Sequence, residues 1–415
     1  MRFPTRTDVV IVGAGQAGLS LSYCLSAKQI DHVVLERGTV GQSWRDQRWD
    51  SFCLVTPNWT VRLAGRGYDE GDPHGFMTRD VWLAWLEDYA ASFGAPVLSG
   101  ANVVGVTPRG EGWGVEVCGE AEIVARAVVI ATATYQAPRT PAGLHLPAGV
   151  HSMHVADYRR PEGLPPGAVL VVGSGQSGTQ IALELKSHGR EVFLATSRVG
   201  RLPRRYRGRD AIDWQARMGY LDRHHFALET PAARFNPDPH LTGRDGGATI
   251  DLRELSADGI HLTGKLHGVS DATLQFGDEL AENLEFADAF AARFARTVDD
   301  YVSRKGEEAG PIEPGEFLPA TREQPTGARR LSPGSDGLGA VVWATGFRYD
   351  FKWLRRPEVL DAVGYPVQRD GRTACRGLHF LGLNYVEHRR SGILYGAGTD
   401  AEQLAGVLAA DLGAR

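Results

Sequence analysis

The sequence predicts an α/β fold built on two copies of one β–loop–α–β unit, and three observations predict it. Apolar runs end at a glycine loop twice, in Asp8-Val9-Val10-Ile11-Val12 and in Ala168-Val169-Leu170-Val171-Val172. The loops that follow, Gly13-Ala14-Gly15-Gln16-Ala17-Gly18 and Gly173-Ser174-Gly175-Gln176-Ser177-Gly178, each open a stretch with apolar residues at helical spacing. A further apolar run follows each helix, His32-Val33-Val34-Leu35 in the first unit and Glu191-Val192-Phe193-Leu194 in the second. Short uninterrupted apolar runs suit strands buried on both faces, as in parallel sheets. Strand, glycine loop, helix and strand in this order make a Rossmann-like dinucleotide-binding unit.

The remaining elements follow in chain order. Trp82, Trp85, Leu86, Tyr89 and Phe93 share one helical face over 78–93, and Thr78 is placed to cap the start. Trp113-Gly114-Val115-Glu116-Val117 alternates like a half-buried strand, and Ala127-Val128-Val129-Ile130 reads as a buried one. The Pro/Gly-rich stretch 137–149 predicts a linker before the second unit. That unit's helix is expected to run to about His188. Residues 198–247 are rich in Arg, Pro and Gly and predict irregular structure. A helix is expected over 282–302, and a loop-rich stretch over 306–339, with Pro311, Pro314, Pro319, Pro325 and Pro333. The strand Ala340-Val341-Val342-Trp343-Ala344 and a helix over 400–412 close the chain.

The chain has 415 residues, enough for two or three domains of ordinary size. A formal net charge of −5 opposes a global basic field for nucleic acid. The four cysteines, Cys24, Cys53, Cys118 and Cys375, form no C-x-x-C pair, which argues against a dithiol redox centre and a zinc knuckle. Their sparseness suits a reducing compartment. No run of 18 apolar residues and no signal-peptide pattern is present, so the expectation is a cytoplasmic protein without a membrane span.

In a dinucleotide loop the first glycine turns the chain out of the strand. The second lets the backbone approach a diphosphate, and the third lets helix pack on strand. The diphosphate then sits on free N–H groups at the positive helix end. Glu36 ends the second strand of the first unit, where a carboxylate accepts hydrogen bonds from a ribose diol. The equivalent position in the second unit is Thr196, followed by Ser197 and Arg198. A carboxylate there would repel a 2′-phosphate, whereas Ser and Arg bond it, for about 1.5–3 kcal/mol. The first loop therefore suits FAD or NAD, and the second NADPH. Arg201, Arg204, Arg205, Arg207 and Arg209 continue the basic stretch, with Tyr206 the one interleaved aromatic. They read as an extended grip on NADPH phosphate or as a solvated loop, rather than as a nucleic-acid surface.

With these loops, Gly41-Gln42-Ser43-Trp44-Arg45 and the late Ala344-Thr345-Gly346, the sequence resembles the flavin-containing monooxygenase-like family of class B flavoprotein monooxygenases. The short bacterial and plant auxin-synthesis members have similar length. The resemblance implies FAD on 1–162 and 326–415, a discontinuous domain, with Gly13, Gly15, Gln16, Ala17, Gly18, Glu36, Arg37, Gln42, Trp44, Val103, Ala131 and Thr132 as contacts. It implies NADPH on 163–325, with Gly173, Gly175, Gln176, Ser177, Gly178, Ser197 and Arg198, and a lid-like segment over 199–247. Ala344, Thr345 and Gly346 would lie where the domains meet. Ala131-Thr132-Ala133 matches an earlier family motif but has alanine for the final glycine. His154 and Tyr158 resemble the end of the interdomain fingerprint, and Tyr158 in place of Trp disfavours a Baeyer–Villiger enzyme. Asn58, in Thr56-Pro57-Asn58-Trp59, is the candidate catalytic residue over the flavin; an ordinary Pro-Asn turn is the alternative.

The resemblance further implies NADPH-driven transfer of one oxygen atom from O2 to a small organic substrate by way of a C4a-(hydro)peroxyflavin, with N- or S-oxygenation favoured. Alternatives that stay open are an NADPH oxidase or reductase without oxygen transfer, a Baeyer–Villiger enzyme and a non-turnover flavin regulator. A disulfide reductase is disfavoured by the missing C-x-x-C. The substrate is not legible. Trp214, His224, His225 and Phe235 either line the site or belong to the core. Neither a nucleic acid nor a membrane is an expected partner, and a homodimer stays open.

Overall fold

The computed structural model describes residues 3–120, 122–313 and 324–413. Part of the expected 306–339 loop, including Pro314 and Pro319, lies outside the described residues.

The first sheet is built around β1 (Arg6–Val12). The loop helix α1 (Gln16–Ala27) carries the chain to β2 (His32–Glu36), which pairs parallel with β1, Val9 to Val12 facing His32 to Leu35. Helix α2 (Arg79–Ser92) follows, and the Thr78 hydroxyl accepts from the Val81 N–H at 3.4 Å, as its position predicts. The stacked rings of Trp82, Trp85 and Tyr89 form its buried face. Strands β3 (Val97–Ser99), β4 (Val103–Arg109), β5 (Gly112–Val117) and β6 (Ile123–Ile130) complete the path β3-β2-β1-β6-β5-β4. The strands β1, β2 and β6 are buried almost throughout, which is why they read as continuous apolar runs.

The second sheet holds β7 (His151–His154), β8 (Ala168–Val172), β9 (Val192–Ala195), β10 (His261–Thr263) and β11 (Leu338–Trp343), in the order β7-β11-β8-β9-β10, all parallel. Helix α3 (Gln176–Ser187) starts at the second glycine loop, and α4 (Leu280–Lys305) ends at Gly306, whose φ of 63° closes it in the left-handed region. The second sheet also draws on strands outside the 163–325 span. Strands β7 and β11, from either side of that span, pair with each other and complete its sheet, because β8 is buried and needs a neighbour on its open edge. The chain then returns to the first sheet through β12 (Leu378–Phe380), parallel to β6, and ends in α5 (Leu394–Leu412) packed on α1. Helix α5 begins a turn and a half before its expected start.

The segment 199–247 is not wholly irregular: it holds a helix at Ala211–Arg217, capped by Asp210. Nor, apart from the exposed Arg205, are the arginines of 201–209 a solvated loop or a free phosphate grip. Arg201 and Arg204 are buried, Arg201 against Asp288 at 2.7 Å and Arg204 against Asp210, while Arg207 pairs with Asp299 at 2.6 Å and Arg209 with Asp213 at 3.4 Å. Such charges leave water only when paired, so local acids (Asp210, Asp213) and acids of the remote helix α4 (Asp288, Asp299) together specify this segment's path. Trp214 is fully buried core, its indole N–H bonded to the Tyr206 carbonyl at 2.7 Å.

Candidate functional site

The two glycine loops are near copies in three dimensions. Gly13 and Gly173 have φ of 110° and 104°, and a Cβ on either would fall 2.7 Å or 2.6 Å from a carbonyl, that of Ala131 or Ala344. A Cβ on Gly18 or Gly178 would overlap the carbonyl oxygen of the loop's own first glycine. These positions accept glycine alone. At Gly15 and Gly175, by contrast, a Cβ would meet nothing within 4 Å. Glycine there leaves an open approach at the start of α1 and α3, whose first N–H groups have no side-chain cap and no acid in the first turn. The residues thus fit a diphosphate at each helix start.

The copies diverge after the second strand. Glu36 is buried, and its Oε2 accepts from the Ala14 N–H at 2.9 Å while Oε1 accepts from the Gly38 N–H at 3.2 Å. These bonds hold the carboxylate at the rim of the first loop. Thr196 is also buried, but its hydroxyl donates to the Thr263 carbonyl at 2.7 Å and accepts from the Asn283 amide at 3.1 Å. The Ser197 N–H donates to the Ser174 hydroxyl at 2.9 Å. Arg198 is exposed and lies over the Phe286 ring at 4.5 Å, with no ion pair among the described residues. An exposed cation held against a ring remains available to an anion.

The two A-T-x turns lie against the first glycines. Gly346 has φ of 81°, and Ala133, where the family motif has glycine, adopts φ of 59°. The alanine substitution has therefore not changed the turn; it is held in the left-handed region at some cost. Ala131 is buried, and Thr132 Oγ1 accepts from the Gln136 amide at 3.1 Å. The Ala344 N–H donates to Val172 O at 2.9 Å, and Thr345 Oγ1 donates to the Arg139 carbonyl.

His154 and Tyr158 both act as ties. His154 Nε2 bonds the Gly346 carbonyl at 3.0 Å, and the Tyr158 hydroxyl donates to Glu184 of α3 at 2.8 Å. The other Glu184 oxygen accepts from Ser51, which belongs to the first unit, so this buried carboxylate joins the two units. Neither Glu184 nor Ser51 was marked by sequence, because a glutamate inside a helix is ordinary and the partner is remote in the chain.

Gln16 accepts from the Trp44 indole at 3.1 Å, linking the first loop to the G-x-x-W turn. Gln42 braces that turn through the Thr39 N–H and Asp46, Arg37 is exposed at the end of β2, and Val103 is buried in β4. Gln176 donates to the Pro239 carbonyl at 2.8 Å, and Ser177 is half-buried at the start of α3. Asn58 is buried with both ends of its amide used: Oδ1 accepts from Met77 N–H and Nδ2 donates to Asp72 O, each at 3.0 Å. These are the bonds of a residue that shapes the 72–77 loop. Arg48, which sequence reading missed, lies within 5.2–5.5 Å of the Trp44, Phe52 and Tyr135 rings, and burial lowers its pKa. The cysteines are free thiols. Burial pushes Cys24 up to about 12 and raises Cys53, which makes both poor thiolates.

The pyridine nucleotide-disulphide oxidoreductase family model matches residues 10–207. An oxidoreductase of Geobacillus kaustophilus, named CzcO-like and uncharacterized, is 30% identical over 403 residues, 96% of this chain and 97% of that protein. Indole-3-pyruvate monooxygenase YUCCA4 of rice, Oryza sativa, is 33% identical over 218 residues, 48% of this chain and 49% of its own. The chain belongs to the flavin-containing monooxygenase-like family. The chain shares its fold with a flavin monooxygenase of Stenotrophomonas maltophilia, a double mutant. That likeness has a TM-score of 0.68 at 20% identity and covers 98% of this chain and 99% of the other. No helix among the described residues is long and apolar enough to cross a membrane.

Proposed function

We propose that the chain binds FAD at its first loop and NADPH at its second, and transfers one oxygen atom from O2 to a small organic substrate, an amine or a sulfide before a ketone. The observation that carries this reading is the divergence of two otherwise matched loops. Glu36 presents a carboxylate suited to a ribose diol, while Thr196 withdraws its hydroxyl into the core and leaves Arg198 facing outward. The bound flavin would supply hydride acceptance and reaction with O2. The protein would position both dinucleotides on helix starts and keep the reacting groups from water. Arg198 would bond the 2′-phosphate, and Ala344-Thr345-Gly346, tied to His154, would hold the seam between the units.

The test is a panel of amines, sulfides and ketones assayed for accelerated NADPH oxidation, with products checked for a gain of one oxygen. NADPH use fully matched by H2O2 on every compound would replace oxygen transfer with an oxidase. One observation favours that second reading: the Asn58 amide is engaged by backbone at both ends. Under the first reading Asn58 acts through its remaining N–H and lone pair.

A further inference from the structure

We propose that Glu387, His388 and Asp400 form a binding site for one divalent transition-metal cation of the zinc type. One ligand atom from each lies within 4.8 Å of the others. Glu387 and His388 sit on the turn that leads into α5, and Asp400 lies in the second turn of that helix. A Cβ on Gly398 would meet the backbone of Arg62, Leu63 and Ala64. Asp400, two residues on and so roughly opposite around the helix, faces the turn instead.

Asp400 is the decisive residue. It is 5% exposed, and among the described residues neither carboxylate oxygen has a hydrogen-bond partner of good geometry; the nearby Ser391 hydroxyl and Arg390 guanidinium favour its charged form but do not offset its burial. A carboxylate taken out of water without a donor must be neutralised, by a proton or by a cation. The nearby cations are shared with other acids: Arg390 lies 3.2 Å from Asp222, and Arg372 lies 3.9 Å from Asp370. Asp400 and Glu387 both line a cavity of about 210 Å³, which gives an ion a place and a route.

The ligand-bearing turn is already ordered. The Ser391 hydroxyl accepts from the N–H groups of Glu387 and His388 at 3.3 and 3.0 Å. Two carboxylates and an imidazole suit a first-row divalent ion better than magnesium or calcium, which prefer oxygen alone. The same turn is bonded to the irregular segment, since the His225 N–H donates to the Glu387 carbonyl at 2.9 Å. A bound ion would therefore clasp 199–247 to α5. A second cluster, His224, His225 and Asp370, lies beside it, with the His224 and His388 rings 5.3 Å apart.

The test is titration of the EDTA-treated full-length protein with Co2+ and Zn2+, read by calorimetry and by the visible absorption of bound Co2+. One equivalent should bind. Asp400→Asn and Glu387→Gln should each weaken it by about tenfold or more, since even residues that only support a ligand give losses of this order. Thermal unfolding without metal checks that Asp400→Asn folds, and Glu387→Gln and His388→Gln carry the test if it does not. Asp370→Asn should leave affinity within about twofold. Binding no stronger than that of exposed histidines, binding that survives Asp400→Asn and Glu387→Gln, or binding lost only with Asp370→Asn would each overturn the proposal.

Discussion

The Glu36 carboxylate accepts from the Ala14 N–H at 2.9 Å, which ties the end of the second strand to the turn of the first glycine loop. Under the proposed assignment, the same bond that orders the loop would orient the carboxylate for a ribose.

Glu36→Ala should therefore loosen FAD by two routes, a lost ribose contact and a less ordered loop. Charge-assisted bonds of this kind predict an affinity loss of about tenfold to a hundredfold. Equilibrium dialysis of released flavin measures it, and unchanged FAD retention would remove the assignment of this loop.

Arg198→Ala should raise KM for NADPH by about tenfold or more and leave KM for NADH nearly unchanged. Phe286→Ala, which removes the ring that steers the guanidinium, should shift the same ratio by less. Equal effects on both nucleotides would show that Arg198 does not read the 2′-phosphate.

Ala133→Gly should stabilise the protein, by about 0.5–1 kcal/mol, because an L-residue at φ of 59° pays a cost that glycine avoids, less glycine's greater entropy when unfolded. Denaturant unfolding gives the value. No gain would mean that the alanine methyl makes compensating contacts.

Acid should weaken the fold through two histidines. Burial lowers His240 and His379 to about 4 from an ordinary 6.5. Both are neutral in the folded protein near pH 6, while the unfolded chain takes up the proton first. Their contribution is thus full above 6.5 and is lost as pH falls from 6.5 to 4, by about 3 kcal/mol each. Neither ring nitrogen of His379 has a hydrogen-bond partner among the described residues, so His379→Leu should flatten part of this slope in urea unfolding between pH 7 and 4. An unchanged slope would place the acid sensitivity elsewhere.

The sequence by itself determined the strand–loop–helix units, their glycines and the Glu36/Thr196 difference. Each depends on neighbours in the chain or on a fixed periodicity, and local physics acts the same in any fold. It did not show that strands 151–154 and 338–343 meet beside 168–172, since a parallel sheet edge is filled from any distance along the chain. It did not show that Arg201 and Arg204 are buried, because the acids that make burial tolerable lie partly on remote helices. The Glu184 tie to Ser51 and the meeting of Glu387, His388 and Asp400 are tertiary in the same sense. Side chains with no local signal acquire their chemistry only when folding removes water and chooses their neighbours.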